Sequence, residues 1–148
     1  TNLSEGRGTA DPFAILGAPF IRAEGFCRAF NELGCPGVEA TPVYFNPTAS
    51  KHQGELCGGI HLHITDEKAV QPVALGVRLL DLLRRMYPAD FRFLDPVRQD
   101  GKPFISLLAG HREFESPSWN AEEILSRYAS ESQAFRLRKA AYERYPKE

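Results

Sequence analysis

The densest run of chemically capable residues in this sequence is Ser4-Glu5-Gly6-Arg7-Gly8-Thr9. Two glycines flank an arginine, and a carboxylate stands just before the first of them. Glycines let backbone N–H groups converge on one point, which makes a nest for an anion. Arg7 can fork onto a carboxylate or phosphate with two parallel hydrogen bonds. Glu5 can serve as acid, base or acceptor of sugar hydroxyls. Ser4 and Thr9 bring a hydroxyl to either end. The run is not a Walker A loop, which ends in Gly-Lys-Ser/Thr, and it is not GxGxxG. A flexible tail could carry the same residues, so spacing alone leaves both readings open.

Two further groups carry possible chemistry. His61-x-His63 lies in the alternating stretch IHLHIT, residues 60–65. On a strand both imidazoles face one side, about 6–7 Å apart. The next residue on that face is Thr65, so no third ligand follows and no metal is expected. His63 is instead a candidate for lining a sugar cleft. The stretch Pro42-Val43-Tyr44-Phe45, with Lys51-His52 beyond it, offers an aromatic ring and a cation. Tyr44 and Lys51 are candidate binding residues; Phe45 reads as core.

These residues need elements to hold them. The glycine loop, residues 1–12, leads into a short apolar piece, Phe13–Leu16. Residues 22–34 read as a helix from the spacing of Phe26, Ala29, Phe30 and Leu33, with Gly34 as its stop. Val38–Phe45 reads as a strand, which Pro42 pushes to an edge or bulge. Residues 46–59 read as loop and 60–65 as strand. A helix over roughly 67–87 follows, capped by Thr65 or Asp66 and ended by Pro88. Its apolar face holds Val70, Val73, Val77, Leu80, Leu83 and Tyr87. Residues 88–102 read as irregular, with Pro96 and Asp100-Gly101. Phe104–Leu108 is a short strand or a helix start. Residues 120–145 read as one or two helices, with a stripe of Ile124, Leu125 and Tyr128 continued by Phe135, Tyr142 and Tyr145. The expected class is α/β or α+β: a small mixed sheet packed with helices.

Bulk properties narrow the function. The 148 residues, 43% hydrophobic, suffice for one compact domain. A formal net charge of -1 predicts no nucleic-acid footprint and no polybasic membrane patch. No apolar run approaches the roughly 20 residues of a membrane span. Cys27, Cys35 and Cys57 are odd in number and form no Cys-x-x-Cys pair, so packed thiols are expected rather than a disulfide framework or zinc site. The chain opens on Thr1 rather than Met, which suggests a fragment or a processed product.

Several motifs in order resemble one family. They are Thr1 to Thr9, Pro12-Phe13, Gly17-Ala18-Pro19, Pro42-Val43-Tyr44-Phe45, Pro47, Lys51 and Cys57-Gly58-Gly59. His63-Ile64-Thr65-Asp66 and Leu107-Leu108-Ala109-Gly110 extend the match over nearly the whole chain. The pattern resembles the C-terminal domain of the NamZ family of exo-β-N-acetylmuramidases, peptidoglycan glycoside hydrolases. Where the family's tail often has Trp, this chain has Tyr128, and Trp119 stands earlier; both read as packing residues. The resemblance implies an auxiliary C-terminal domain of a two-domain protein, residues 1–148 here, without the family's N-terminal Rossmann-like domain. It implies removal of N-acetylmuramic acid from non-reducing ends of peptidoglycan fragments, in a cleft between the domains. The main catalytic glutamate is then expected in the N-terminal domain. An exported or periplasmic location and no cofactor are implied likewise.

On this reading Arg7 or Lys51 reads the lactyl carboxylate that distinguishes muramic acid from glucosamine. Ser4, Thr9, Tyr44 and His63 line the sugar site, and Glu5 either assists catalysis or only pairs with Arg7 and sugar hydroxyls. Three other classes are open on the residues alone: a non-catalytic sugar-binding module, a phosphate-binding module, and a structural partner of the catalytic domain.

Overall fold

The computed structural model describes residues 1–96 and 101–145. Strand β1 (Ile15–Ala18) and strand β2 (Val38–Phe45) both pair with strand β3 (Cys57–Ile64), in the order β1-β3-β2. Helix α1 (Ala23–Glu32) connects β1 to β2. The mixed helix-and-strand class holds, but the sheet, expected to be mixed, is antiparallel throughout. The reason is topological. A strand–helix–strand crossover sends β1 and β2 the same way, and β3 then inserts between them in the opposite sense, a split βαβ arrangement.

Alternation divides the sheet into two faces. Ala18, Val38, Ala40 and Ile60 join Phe26 and Phe30 of α1 in the main core. Ala23, Phe26, Cys27 and Phe30 recur at helical spacing, so one stripe of α1 is buried. Asn31 pins the helix to β2: its amide donates to the Ala40 carbonyl and accepts from the Ala40 N–H, both at 2.9 Å. That contact also satisfies part of an open sheet edge. Pro42 lies on this edge strand, where its missing N–H costs no ladder bond.

Glycine sets how closely β1 and β3 approach. A Cβ on Gly59 would stand 2.0 Å from the Leu16 carbonyl oxygen, and one on Gly17 would stand 2.3 Å from that of Gly58. The strand therefore begins at Cys57, and Gly58 and Gly59, expected in the loop, belong to it.

The next helix, α2 (Pro72–Met86), starts later than expected. Pro72 stands in its first turn, where a missing N–H is tolerated. Asp66 accepts from the Lys68 N–H and holds a separate turn ahead of the helix. Leu82 and Leu83 of α2 close the main core, while Val73, expected on the apolar face, is exposed.

A second cluster sits on the other side of α2. Val77 packs there with Phe114, Trp119, Ala121 and Ile124. It draws on α3 (Phe104–Ala109), a 3-10 turn (Glu113–Glu115) and α4 (Ala121–Lys139). Asn120 caps α4 by accepting from the N–H groups of Glu122 and Glu123. Leu125 and Tyr128 pack on this cluster, but Phe135, Tyr142 and Tyr145 are exposed, so the predicted stripe stops half-way along α4. Of the irregular stretch 88–102, Asp100 lies outside the described residues. Among the described residues no helix is long and apolar enough to cross a membrane.

Candidate functional site

The glycine loop is a docked element. Ser4 is buried and pairs with Gly17 in a two-bond bridge, its N–H donating at 2.8 Å and its carbonyl accepting at 3.0 Å. The loop is thereby fixed along the open edge of β1. Asn2 stitches its start to residues 90 and 92 through three hydrogen bonds. Within the loop, the Ser4 hydroxyl accepts from the Gly6 N–H, and Thr9 donates through N–H and hydroxyl to the Gly6 carbonyl. Gly6 and Gly8 take φ of 77° and 79°, the left-handed region that glycine enters without strain. Gly8 also lets two backbones touch, for a Cβ there would meet the Ala49 nitrogen at 2.4 Å.

The partner surface is the β2–β3 connection, residues 46–56. It leans over the end of β3 towards β1. Thr48 donates to the Gly8 carbonyl through both N–H and hydroxyl. Lys51 reaches the Leu3 carbonyl at 2.7 Å and the Glu5 carboxylate. His52 donates from Nε2 to the Asn2 carbonyl, because a carbonyl can only accept. Pro47, fully buried, anchors this connection.

The result is a charged cluster. Glu5 takes Arg7 Nε on one oxygen, at 2.8 Å, and Lys51 Nζ on the other. Burial pushes the Glu5 carboxyl upward, but the Lys51 hydrogen bond, then its own backbone N–H and the two neighbouring cations, outweigh it and hold the group below its ordinary value. An ionised carboxylate with both oxygens occupied is a poor proton donor. Two cations around one carboxylate leave one net positive charge. Arg7 is 59% exposed in its side chain, so its outer nitrogens face solvent. The arrangement suits one anionic group approaching from outside.

The structure brings Ser4, Glu5, Arg7, Thr9 and Lys51 together and sets Tyr44 and His63 apart. Tyr44 shares a strand face with Ala40, and its hydroxyl donates to Glu24 of α1 at 2.8 Å. That bond raises the phenol above its ordinary value, so it stays protonated. His63 projects from the opposite face and shares a 2.8 Å hydrogen bond with Thr41. His61 and His63 do face one side, yet their rings lean together to 4.4 Å between centroids, closer than strand spacing alone predicts. His61 Nε2 lies 2.8 Å from the Asp11 carboxylate, which sets the loop's end against the sheet. Among the described residues no three His, Cys, Asp or Glu side chains are grouped to hold a metal.

Sequence reasoning missed Phe13, Asp11 and Thr48 as neighbours of the site. Pro12-Phe13 stood in the motif as quoted, but its signal is conformational: Phe13 has a φ of 72° that no composition reveals. The three cysteines are free, and Cys27 and Cys57 are buried. Burial first, then Glu55, pushes the Cys57 thiol up to about 11. A separate groove of about 1080 Å³ runs between α2, α3 and α4, lined by Val77, Leu80, Ile105 and Tyr128 among others. It takes no residue from the Glu5 cluster.

The fold and this loop geometry can be set beside known proteins. The family model described as "Exo-beta-N-acetylmuramidase NamZ, C-terminal" matches residues 1–145. The chain belongs to the NamZ C-terminal family. A curated relative, the peptidoglycan beta-N-acetylmuramidase NamZ of Bacillus subtilis, is 45% identical over 94 residues. The match takes in 64% of this chain and 23% of that protein. The crystal structure of a DUF1343 family protein from Bacteroides fragilis shares the fold, with a TM-score of 0.83 and 24% identity. It covers 98% of this chain, which matches 38% of that one. This NamZ C-terminal domain thus spans well under half the length of either protein it matches.

Proposed function

We propose that this NamZ C-terminal domain is the substrate-binding half of an exo-β-N-acetylmuramidase. It closes a cleft against an N-terminal Rossmann-like domain that carries the main catalytic acid. The substrate is a peptidoglycan fragment with N-acetylmuramic acid at its non-reducing end. The observation that carries the reading is the Glu5–Arg7–Lys51 cluster, with its single net positive charge and its exposed guanidinium. Muramic acid differs from glucosamine by a lactyl ether bearing one carboxylate, which matches that charge. Neutral glucosamine leaves the cations unsatisfied, so specificity comes from the site's own unmet charge as well as from contact.

Arg7 is the fork that receives the lactyl carboxylate, with Lys51 behind it. Glu5 holds both cations in place and accepts sugar hydroxyls rather than acting as the proton donor. Ser4 and Thr9 fix the loop's shape, since their hydroxyls are spent on Gly6. Most glycosidases need two carboxyl groups flanking the bond, and a single ion-paired Glu5 does not supply them. The chain alone is therefore expected to bind without turnover. Tyr44 and His63, each engaged elsewhere, belong at most to the rim. The substrate also places the enzyme, as an exported or periplasmic protein, where the cell wall is turned over.

The test is release of N-acetylmuramic acid from a MurNAc-GlcNAc disaccharide. The pure 148-residue chain should release none, and a protein joining it to the N-terminal domain should restore turnover. Clear release by the chain alone would defeat the proposal and put Glu5 at the centre of the chemistry.

A further inference from the structure

Phe13 is the least expected residue beside the site. The residue is 68% exposed, and its φ of 72° lies in a region costly for a bulky residue. The conformation is held from both sides. The Phe13 N–H donates to the Glu5 carbonyl at 2.8 Å, and the carboxylate of Asp11, two residues earlier, stands 2.8 Å from His61 Nε2. The same loop meets the same backbone demand at Gly6 and Gly8 with glycine. Where geometry alone matters, then, this loop uses the residue that adopts it freely. At position 13 it keeps a large aromatic ring in solvent and bears the strain.

The ring stands against the cation that the site offers. The Arg7 guanidinium carbon lies over Phe13, 5.4 Å from the ring centroid. The Glu5 carboxylate also holds Arg7, 2.8 Å from its Nε. Phe13 stays an exposed residue with Arg7 against it, so apolar aromatic surface remains open beside the guanidinium. A β-configured pyranose in its chair form has a complementary apolar face, made by the axial hydrogens of C1, C3 and C5. If that face lies on an aromatic ring, an acidic substituent on the O3 oxygen extends beyond the ring edge.

We propose that Phe13 is the stacking platform for the sugar ring whose carboxylate Arg7 receives. Phe13 is then a binding and specificity residue, and the ligand class is a pyranose with an acidic substituent on the ring. The proposal rests on the anion-site reading of the Glu5–Arg7–Lys51 cluster and adds what binds the neutral part of the ligand. An acidic sugar engages ring and cation together. A neutral sugar engages the ring alone, and a simple anion such as acetate engages the cation alone.

The experiment is saturation-transfer NMR on the 148-residue chain with N-acetylmuramic acid and N-acetylglucosamine as probes. It compares wild type with Phe13→Ala, Phe13→Trp and Phe13→Gly, and records a thermal melt for each. Wild type should transfer saturation most strongly to the sugar's H1, H3 and H5. Phe13→Ala should lose that pattern and bind roughly two- to tenfold more weakly, while Phe13→Trp keeps both. Phe13→Gly decides between platform and scaffold. Glycine relieves the positive φ, so its melting temperature should stay level or rise while affinity falls. A Phe13→Gly chain that lost affinity and melting temperature together would make Phe13 a structural residue and overturn the proposal. Unchanged binding in Phe13→Ala and Phe13→Gly would overturn it while leaving the anion site intact. No saturation transfer to N-acetylmuramic acid in wild type would remove the anion-site reading and this proposal with it.

Discussion

At the scale of single residues, the cluster makes two expectations sharp. Arg7→Ala should weaken binding of N-acetylmuramic acid by about tenfold, the lower end for a charged hydrogen bond because the guanidinium is exposed. Binding of N-acetylglucosamine should hardly change, and equal loss for both sugars would remove Arg7 as the reader of the carboxylate. Glu5 makes a pH prediction. Its folded carboxyl is held below the ordinary 4.5 by Lys51 and Arg7 against the opposing pull of burial. As pH falls past that value the unfolded chain takes the proton first, so the stability Glu5 contributes is complete above about 4.5 and fades below it. Melting curves of wild type and Glu5→Gln should differ at neutral pH and converge as the solution is acidified. Much of this was legible in the sequence. Glycine on either side of an arginine, with a glutamate before them, singles out this loop, and Lys51, chosen separately as a cation, joins Ser4, Glu5, Arg7 and Thr9 in space. Tyr44 and His63 were not separable by type, because strand alternation and the partner on each face decide which way they look.

At the scale of elements, the close seam between β1 and β3 is the most demanding feature. Gly59→Ala would drive a methyl against the Leu16 carbonyl and should cost about 3 kcal/mol or more in urea denaturation. Gly25→Ala in α1 meets nothing within 4 Å and should stabilise by about 0.5–1 kcal/mol, the ordinary gain in a helix. The 3-10 turn and α4 are joined by His111. Its Nδ1 accepts from the Glu113 N–H, its Nε2 bonds the Tyr128 hydroxyl, and its ring stacks on Phe114. Burial first, and then the Arg127 cation, hold the imidazole below 6.5, with Glu113 and Glu131 pulling the other way. The unfolded chain therefore protonates first on acidification, and the stability this contact supplies falls as pH drops through about 6.5. The drop in melting temperature between about pH 7.5 and 5.5 should be smaller in His111→Gln than in wild type. Sequence periodicity gave α1 closely and β2 to the residue. It misplaced the start of α2, where Pro72 outweighs the apolar spacing before it, and it could not see that two glycines at 58 and 59 belong to a strand. Their role is an interstrand distance, which appears only once a partner strand is beside them.

At the scale of the whole molecule, two hydrophobic clusters share α2 between them. The first is built on the sheet and the second on short helices, so they should not melt alike at the level of single amides. Backbone amides of the exposed half of α4, beyond Tyr128, should exchange with deuterium faster than those near Ile124. Equal protection along α4 would contradict the packing described here. The exposed Phe135 and Leu137 explain why the stripe read from the sequence did not continue: helical spacing places residues on one face, but burial needs an opposing surface.

The loop that carries Glu5 and Arg7 is held by the protein's own groups, through hydrogen bonds at Asn2, Ser4 and Gly8 and the approach of Asp11 to His61. That has a calorimetric consequence. A ligand meeting an already ordered backbone loses little chain entropy on arrival. Titration of N-acetylmuramic acid should show a favourable enthalpy from charge and hydrogen bonding, and only a small negative heat-capacity change. A large negative change would mean that much more surface is buried than this loop presents, and that the chain around it orders as the sugar binds.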